Sequence, residues 1–239
     1  MWRDWQPDVV HEDLRQLAEE GLQVLRVFPL WPDFQPLHQL YTGMGRLMEL
    51  RFGEEPLPSD EVGQAGVSRE ALDKFRVLAD AAEANGLQLV VGLVTGWMSG
   101  RLFVPPAFQG RNAITDPSVQ RWTVRFVDTF VRRFRDHPAI AAWDLGNECN
   151  CMGPVESADE AWQWTAMIAG AIRLADPSRP IVSGMHSLSV HRDGNWTMLD
   201  QGELTDVLTT HPYPNFTPHC NQDPLHELRN GFHAAAESR

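Results

Sequence analysis

The sequence predicts an α/β fold in which parallel strands alternate with helices, and three observations carry that prediction. Short apolar runs bounded by breakers recur at residues 24–28, 87–93, 140–145, 180–184 and 207–211. Strands that read as nearly continuous apolar runs are those covered on both faces, as in parallel sheets. Between the runs lie stretches with apolar residues at helical spacing, several closed by a glycine. The chain also has 239 residues, 43% hydrophobic and 22% charged, which suffices for one core-forming domain over residues 1–239.

Each element has its own local reason. Val10, Leu14, Leu17 and Ala18 share one helical face over residues 8–20, and Gly21 stands where a C-cap glycine belongs. That helix feeds the first strand. Residues 29–67 are punctuated by Pro and Gly and carry Trp31, Phe34, Tyr41 and Phe52, so a long loop insertion is expected there. Leu72, Phe75, Leu78, Ala79 and Ala82 mark a helix closed by Gly86, and the next strand runs into Thr95-Gly96-Trp97-Met98. Asp116-Pro117 sets an N-cap and a first-position proline ahead of Val119, Trp122, Phe126, Phe130 and Phe134, a core face. Ser157 to Glu160 has capping-box spacing and opens a helix to about Ala175, which Asp176-Pro177 stops. A turn-rich stretch with Asn195-Trp196 precedes the last strand, and Asp223-Pro224 opens a final helix that runs to Arg239.

Composition narrows the function. A net charge of −12 argues against nucleic acid or an anionic membrane surface as partner and fits a neutral substrate. No run is long and apolar enough to span a bilayer, and the opening residues have no apolar signal core, so a cytoplasmic protein is expected unless a leader was removed. Cys149, Cys151 and Cys220 make an odd count, which suggests reduced thiols. Cys149-Asn150-Cys151 lacks the two-residue spacer of structural zinc motifs, even with His219-Cys220 brought close, and no metal or other cofactor is expected.

The run at 140–145 ends in Gly146-Asn147-Glu148, which places an amide and a carboxylate side by side at the carboxyl-end face where α/β barrels put their chemistry. Taken alone, a strand-end Glu is a solvated loop acid. Its company changes that. Arg26 interrupts an apolar strand and is costly to bury without an acid. Asp144 or another core acid could supply it. Trp97, His186, His211 and Tyr213 also sit at strand ends.

Arg26, the strand-end Asn147-Glu148 and His211-Pro212-Tyr213, in this order and spacing, resemble clan A glycoside hydrolases, most closely family 5, the cellulase, β-mannanase and β-mannosidase type. The resemblance implies a (β/α)8 TIM barrel of which this chain supplies about five of the eight units, strands two to six, with residues 29–67 over its mouth. It implies a retaining β-glycoside hydrolase acting on β-mannosides or short β-linked oligosaccharides, with β-glucosides or cello-oligosaccharides as the alternative. Glu148 becomes the general acid/base, and Asn147 a donor to the sugar 2-hydroxyl. Arg26 would hold the nucleophile carboxylate, and His211 and Tyr213 would bind substrate hydroxyls or the catalytic carboxylates. Trp97, Trp31 and His186 would line sugar subsites, although packing serves equally for the aromatics on the insertion.

Retention requires two carboxyl groups about 5–5.5 Å apart. The strand that carries the second has no counterpart here. A five-strand arc leaves edges exposed, so a second chain or further segments are expected to complete the barrel. The rival from another class is a non-catalytic sugar-binding barrel remnant. A metallohydrolase would need a ligand pair such as His-x-His at a strand end, which the sequence does not show.

Overall fold

Parallel strands organise the computed structural model, which describes residues 2–190 and 194–211. Helix α1 (Pro7–Glu19) buries Val10 and Leu14, and the chain leaves it through Gly21 at φ +89°, a conformation that favours glycine. Strand β1 (Val24–Val27) follows.

The expected loop over residues 29–67 is instead mostly ordered structure. It holds a helical turn α2 (Trp31–Phe34), strands β2 (Leu37–Tyr41), β3 (Leu47–Phe52) and β4 (Glu55–Pro56) in an antiparallel meander, and a turn α3 (Glu61–Gln64). The Gly43 to Gly45 turn and Gly53, at φ +55°, supply the two reversals. Trp31 and Phe34, three residues apart on α2, both point inward and are fully buried.

Helix α4 (Arg69–Ala84) starts on Ser68, whose Oγ accepts the Ala71 N–H at 3.3 Å, and leads into β5 (Gln88–Val94). A small hairpin of β6 (Trp97–Met98) and β7 (Arg101–Leu102) extends the β5 exit. Asp116 caps helix α5 (Pro117–Phe134), accepting the Ser118 and Val119 N–H groups at 2.8 and 3.1 Å. Strand β8 (Ile140–Gly146) comes next. Helix α6 (Ala158–Ala175) has the expected Ser157 cap, but the Glu160 carboxylate accepts the Glu156 N–H at 2.7 Å, one residue before the cap. Strand β9 (Ile181–Val182) and helix α7 (Met198–Leu204) complete the elements.

The main sheet has the order β1-β5-β8-β9, all pairs parallel. The fifth apolar run follows in place through one parallel bridge, Val182 to Val207, and the Ser183 N–H to Val207 carbonyl bond at 2.9 Å. Among the described residues these strands form an open arc. Val27 and Leu208 are half-buried, as an arc requires, and Val24 on the edge strand β1 is exposed. The expected final helix over residues 223–239 and Tyr213 lie outside the described residues.

The core sits between sheet and helices. Phe126, Phe130 and Phe134 recur every four residues on α5; Phe130 and Phe134 pack on Phe75 of α4, each with ring centroids 4.8 Å apart, and Phe126 packs on Phe130 at 5.9 Å. Phe130 also meets Trp143 of β8 edge-on, at 6.3 Å. Truncating one such ring to Ala costs on the order of 3–5 kcal/mol.

Candidate active site

The site is built at the carboxyl end of β8, where backbone approach is closer than any side chain permits. A Cβ on Gly146 would lie 2.1 Å from the Val94 carbonyl oxygen, and one on Gly184, at φ +62°, would lie 2.3 Å from Asp144 Oδ1. Glu148 itself adopts φ +50° and ψ +47°, a left-handed conformation uncommon outside glycine. This turns the chain sharply out of the strand and leaves Asn147 and Glu148 5% and 8% exposed at the strand mouth.

Arg26 of β1 is spent on this cluster. Its Nε donates to Asp144 Oδ2 at 2.6 Å, Nη2 to the Gly146 carbonyl at 2.9 Å, and Nη1 faces Asn147 Oδ1 at 3.4 Å and His211 Nε2 at 3.2 Å. The expectation that Arg26 awaits a carboxylate from outside the visible strands is therefore corrected, because the acid is Asp144, 118 residues away in sequence. Complete burial raises the Asp144 carboxyl above the ordinary aspartate range, while the Arg26 charge and the Gly146 N–H pull against that rise.

Asn147 donates to the Trp97 carbonyl at 2.8 Å, so Trp97 reaches the site through its backbone, with its ring half-buried. The same amide nitrogen faces the Met98 sulfur, a weak acceptor, at 3.8 Å. Glu148 is approached by two histidines on one oxygen: His211 Nδ1 at 2.8 Å and His186 Nδ1 at 3.4 Å, both to Oε1. Asn150 places the His186 segment by accepting its N–H and donating to the Ser187 carbonyl, each at 2.8 Å. Sequence inspection passed over Asn150, whose only signal was its position two residues past Glu148.

Trp31 is removed from the subsite residues. It is fully buried and donates through Nε1 to Gln35 Oε1 at 2.9 Å, so it packs the base of the Thr95 to Trp97 turn and presents no face to a ligand. The structure thus gathers Glu148, Asn147, Arg26, His211, His186 and the Trp97 backbone, and leaves Trp31 beneath them. Tyr213 lies outside the described residues.

Glu148, His186 and His211 offer atoms within 4.8 Å of one another, a possible donor set for a metal ion. To ligate through Nδ1, His211 would need its proton on Nε2, pointed at the Arg26 guanidinium, so the set suits a hydrogen-bond network better than an ion. A second group of Asp80, Glu83 and His137 is likewise a hydrogen-bonded one: His137 Nδ1 accepts the Ala139 N–H, which leaves Nε2–H to donate to Asp80 at 2.9 Å. Burial pushes the Cys149 thiol well up and the half-buried Cys151 thiol up to about 11, so both stay protonated and unbridged. Cys220 lies outside the described residues.

Residues 81–208 match the model of the glycosyl hydrolases family 2 TIM barrel domain. Among curated relatives, a mannan endo-1,4-β-mannosidase F from Aspergillus fumigatus is 29% identical over 58% of this chain and 32% of its own length. A mannan endo-1,4-β-mannosidase A from Podospora anserina is 29% identical over 85% of this chain and 48% of its own. The chain thus spans about a third to a half of these relatives. Among solved structures, the exo-β-1,4-mannosidase Op5Man5 from Opitutaceae bacterium strain TAV5 superposes with a TM-score of 0.71 at 26% identity, covering 90% of this chain and 36% of that one. A GH5_18 variant from Streptomyces cattleya, in complex with Manβ1-4GlcNAc, shares the fold with a TM-score of 0.71 at 23% identity, over 89% of this chain and 48% of that one. The family model and these neighbours bear out the expected family-5-like barrel resemblance and the partial TIM barrel.

Proposed function

The chain belongs to the family of glycosyl hydrolases family 2 TIM barrel domains, and from that premise we propose that it carries the acid/base half of a retaining β-glycoside hydrolase acting on β-mannosides or short β-linked oligosaccharides. The observation that carries the proposal is the placement of Glu148, pushed out of β8 in a left-handed turn and held at Oε1 by His211. Among the described residues, the contacts of Glu148 leave Oε2 uncommitted. In a retaining reaction such a carboxyl protonates the departing oxygen, then takes a proton from water in the second step, while a second carboxylate bonds transiently to the anomeric carbon. That second carboxylate belongs to a part of the protein beyond the described residues.

Asn147, anchored by the Trp97 carbonyl, serves as the donor to the 2-hydroxyl, a bond that strengthens as oxocarbenium character develops. The mannosidase names of the relatives favour a mannoside over a glucoside. Hydrolysis of p-nitrophenyl β-mannoside and β-glucoside by the full-length protein tests this. Faster turnover of the mannoside is expected. Turnover of the glucoside alone would overturn the substrate choice, and calorimetric binding of mannobiose without turnover of any of the three would favour a non-catalytic sugar-binding barrel.

A further inference from the structure

His211 stands between the Arg26 guanidinium on one ring nitrogen and the Glu148 carboxyl on the other. Arginine has five N–H donors and no acceptor, so the 3.2 Å approach of Nη1 to His211 Nε2 is a hydrogen bond only if Nε2 presents its lone pair. The proton of the neutral ring then sits on Nδ1, and Nδ1 lies 2.8 Å from Glu148 Oε1. Arg26 is itself immobilised, through Asp144 at 2.6 Å and the Gly146 carbonyl at 2.9 Å, and its guanidinium lies over the Phe28 ring at 4.8 Å. Two donors therefore stand in series: Arg26, held by the Asp144 carboxylate, faces His211, and His211 faces one oxygen of the Glu148 carboxyl.

We propose that Arg26 is a positioning residue for the Glu148 carboxyl: anchored by Asp144, it holds His211 in the Nδ1–H tautomer, and His211 in turn pins Oε1 so that Oε2 is the oxygen that exchanges protons with the substrate. The proposal rests on the reading of Glu148 as general acid/base. The proton given to the leaving oxygen comes from Oε2, while Oε1 keeps the hydrogen bond from His211 Nδ1 throughout. The carboxylate left behind faces an N–H backed by the Arg26 charge, which stabilises the anion formed as the proton leaves. His186 Nδ1 lies 3.4 Å from the same Oε1.

The test is nitrogen-15 NMR of the histidine rings in the full-length protein near neutral pH, with the His211 signals assigned by their loss in His211→Gln. A protonated Nδ1 with a lone-pair Nε2 is expected. A protonated Nε2 or a doubly protonated ring in the wild type overturns the proposal, whatever the activity. In Arg26→Gln the tautomer preference should weaken, and kcat on substrates with poor leaving groups should fall by about 10²-fold, the scale of a misplaced catalytic group, with little change in KM. Should Arg26→Gln fail to fold because Asp144 is left as a buried, unpaired charge, the double variant Arg26→Gln/Asp144→Asn removes both charges and is read instead. Loss of kcat with the tautomer unchanged would make Arg26 merely structural and overturn the relay. If the wild type turns over no glycoside, the function fails on that arm alone, and the NMR arm still decides the tautomer.

Discussion

An arginine–aspartate pair stands near each end of β8, and the two are built differently. At the amino end Arg179 meets Asp176 at 2.8 Å, three residues away in sequence, and the same aspartate accepts from Trp143 Nε1 at 2.8 Å and from Ser178. Arg179 also donates to the carbonyls of Ile140, His137 and Arg135, so each charge is met by protein groups close at hand. At the carboxyl end, Arg26 and Asp144 come from strands 118 residues apart, and the bonds run on through His211 to Oε1 of the Glu148 carboxyl. The amino-end pair closes on itself and serves stability. Under the proposed function the carboxyl-end pair holds the acid/base carboxyl in place, the division of labour expected of the two faces of an α/β barrel.

The largest effect that would sharpen this contrast is kinetic. Glu148→Gln keeps shape while abolishing proton donation, so turnover on poor leaving groups should fall by about 10²–10⁴-fold with thermal stability unchanged. Activated leaving groups should suffer less in the first step. Equal losses on both, with the second step shown not to be rate-limiting, would break the assignment of Glu148 as acid.

The amino-end counterpart is Asp176→Ala, which leaves Arg179 and the Trp143 N–H without their partner and should cost about 3 kcal/mol of stability while leaving the His211 NMR signals unmoved. Its pH dependence has a definite sign. Burial alone would raise the Asp176 carboxyl, but the hydrogen bonds from Ser178, Trp143 and Arg179 hold it at about 2. A carboxyl whose folded pKa lies below its unfolded value of about 3.9 stabilises the fold above that value and ceases to do so as pH falls through the folded pKa. The wild-type advantage over Asp176→Ala should therefore be full above about pH 4 and fade toward pH 2. Constant advantage across that window would show that the lost stability is packing, not charge.

How much of this was legible in the sequence follows the same division. The helices and their caps were readable because Gly21, Gly86, Asp116 and Ser157 act on neighbours within a few residues. The apolar run that ends in Asn147-Glu148 was readable for the same local reason. Arg26 signalled that an acid must exist but not which one, since a pairing across 118 residues leaves no periodic trace. The meander of β2 to β4 was missed because the prolines and glycines of residues 29–67 were read as loop punctuation, whereas Gly43, Gly45 and Gly53 are its turns. Trp31 was misplaced because an aromatic on an insertion suits a sugar subsite, but its partner Phe34, one helical turn on, was the sign of a buried face.

Trp31 supplies the next smaller effect. Trp31→Phe removes the Nε1–H bond to Gln35 and leaves a small void under the Thr95 to Trp97 turn, which should cost about 1–2 kcal/mol of stability. Because the ring faces the core, KM for mannosides should stay unchanged. A several-fold rise in KM without loss of stability would put Trp31 back among the substrate contacts.

The smallest effect isolates what burial contributes to the two β8 pairs. Arg132 on α5 meets Asp128 at 2.8 Å, the same separation as Arg179 and Asp176, yet its side chains are 46% and 35% exposed against 17% and 3% for the β8 pair. In water the Coulomb gain is small, screened by salt and opposed by the entropy of holding two long side chains together. Arg132→Gln should accordingly leave the melting temperature within about a degree of wild type, and raising salt should erase even that difference. A drop comparable to that of Asp176→Ala would mean that separation, rather than desolvation and the count of satisfied donors, sets the worth of these pairs, and the distinction between the two ends of β8 would then lose its physical basis.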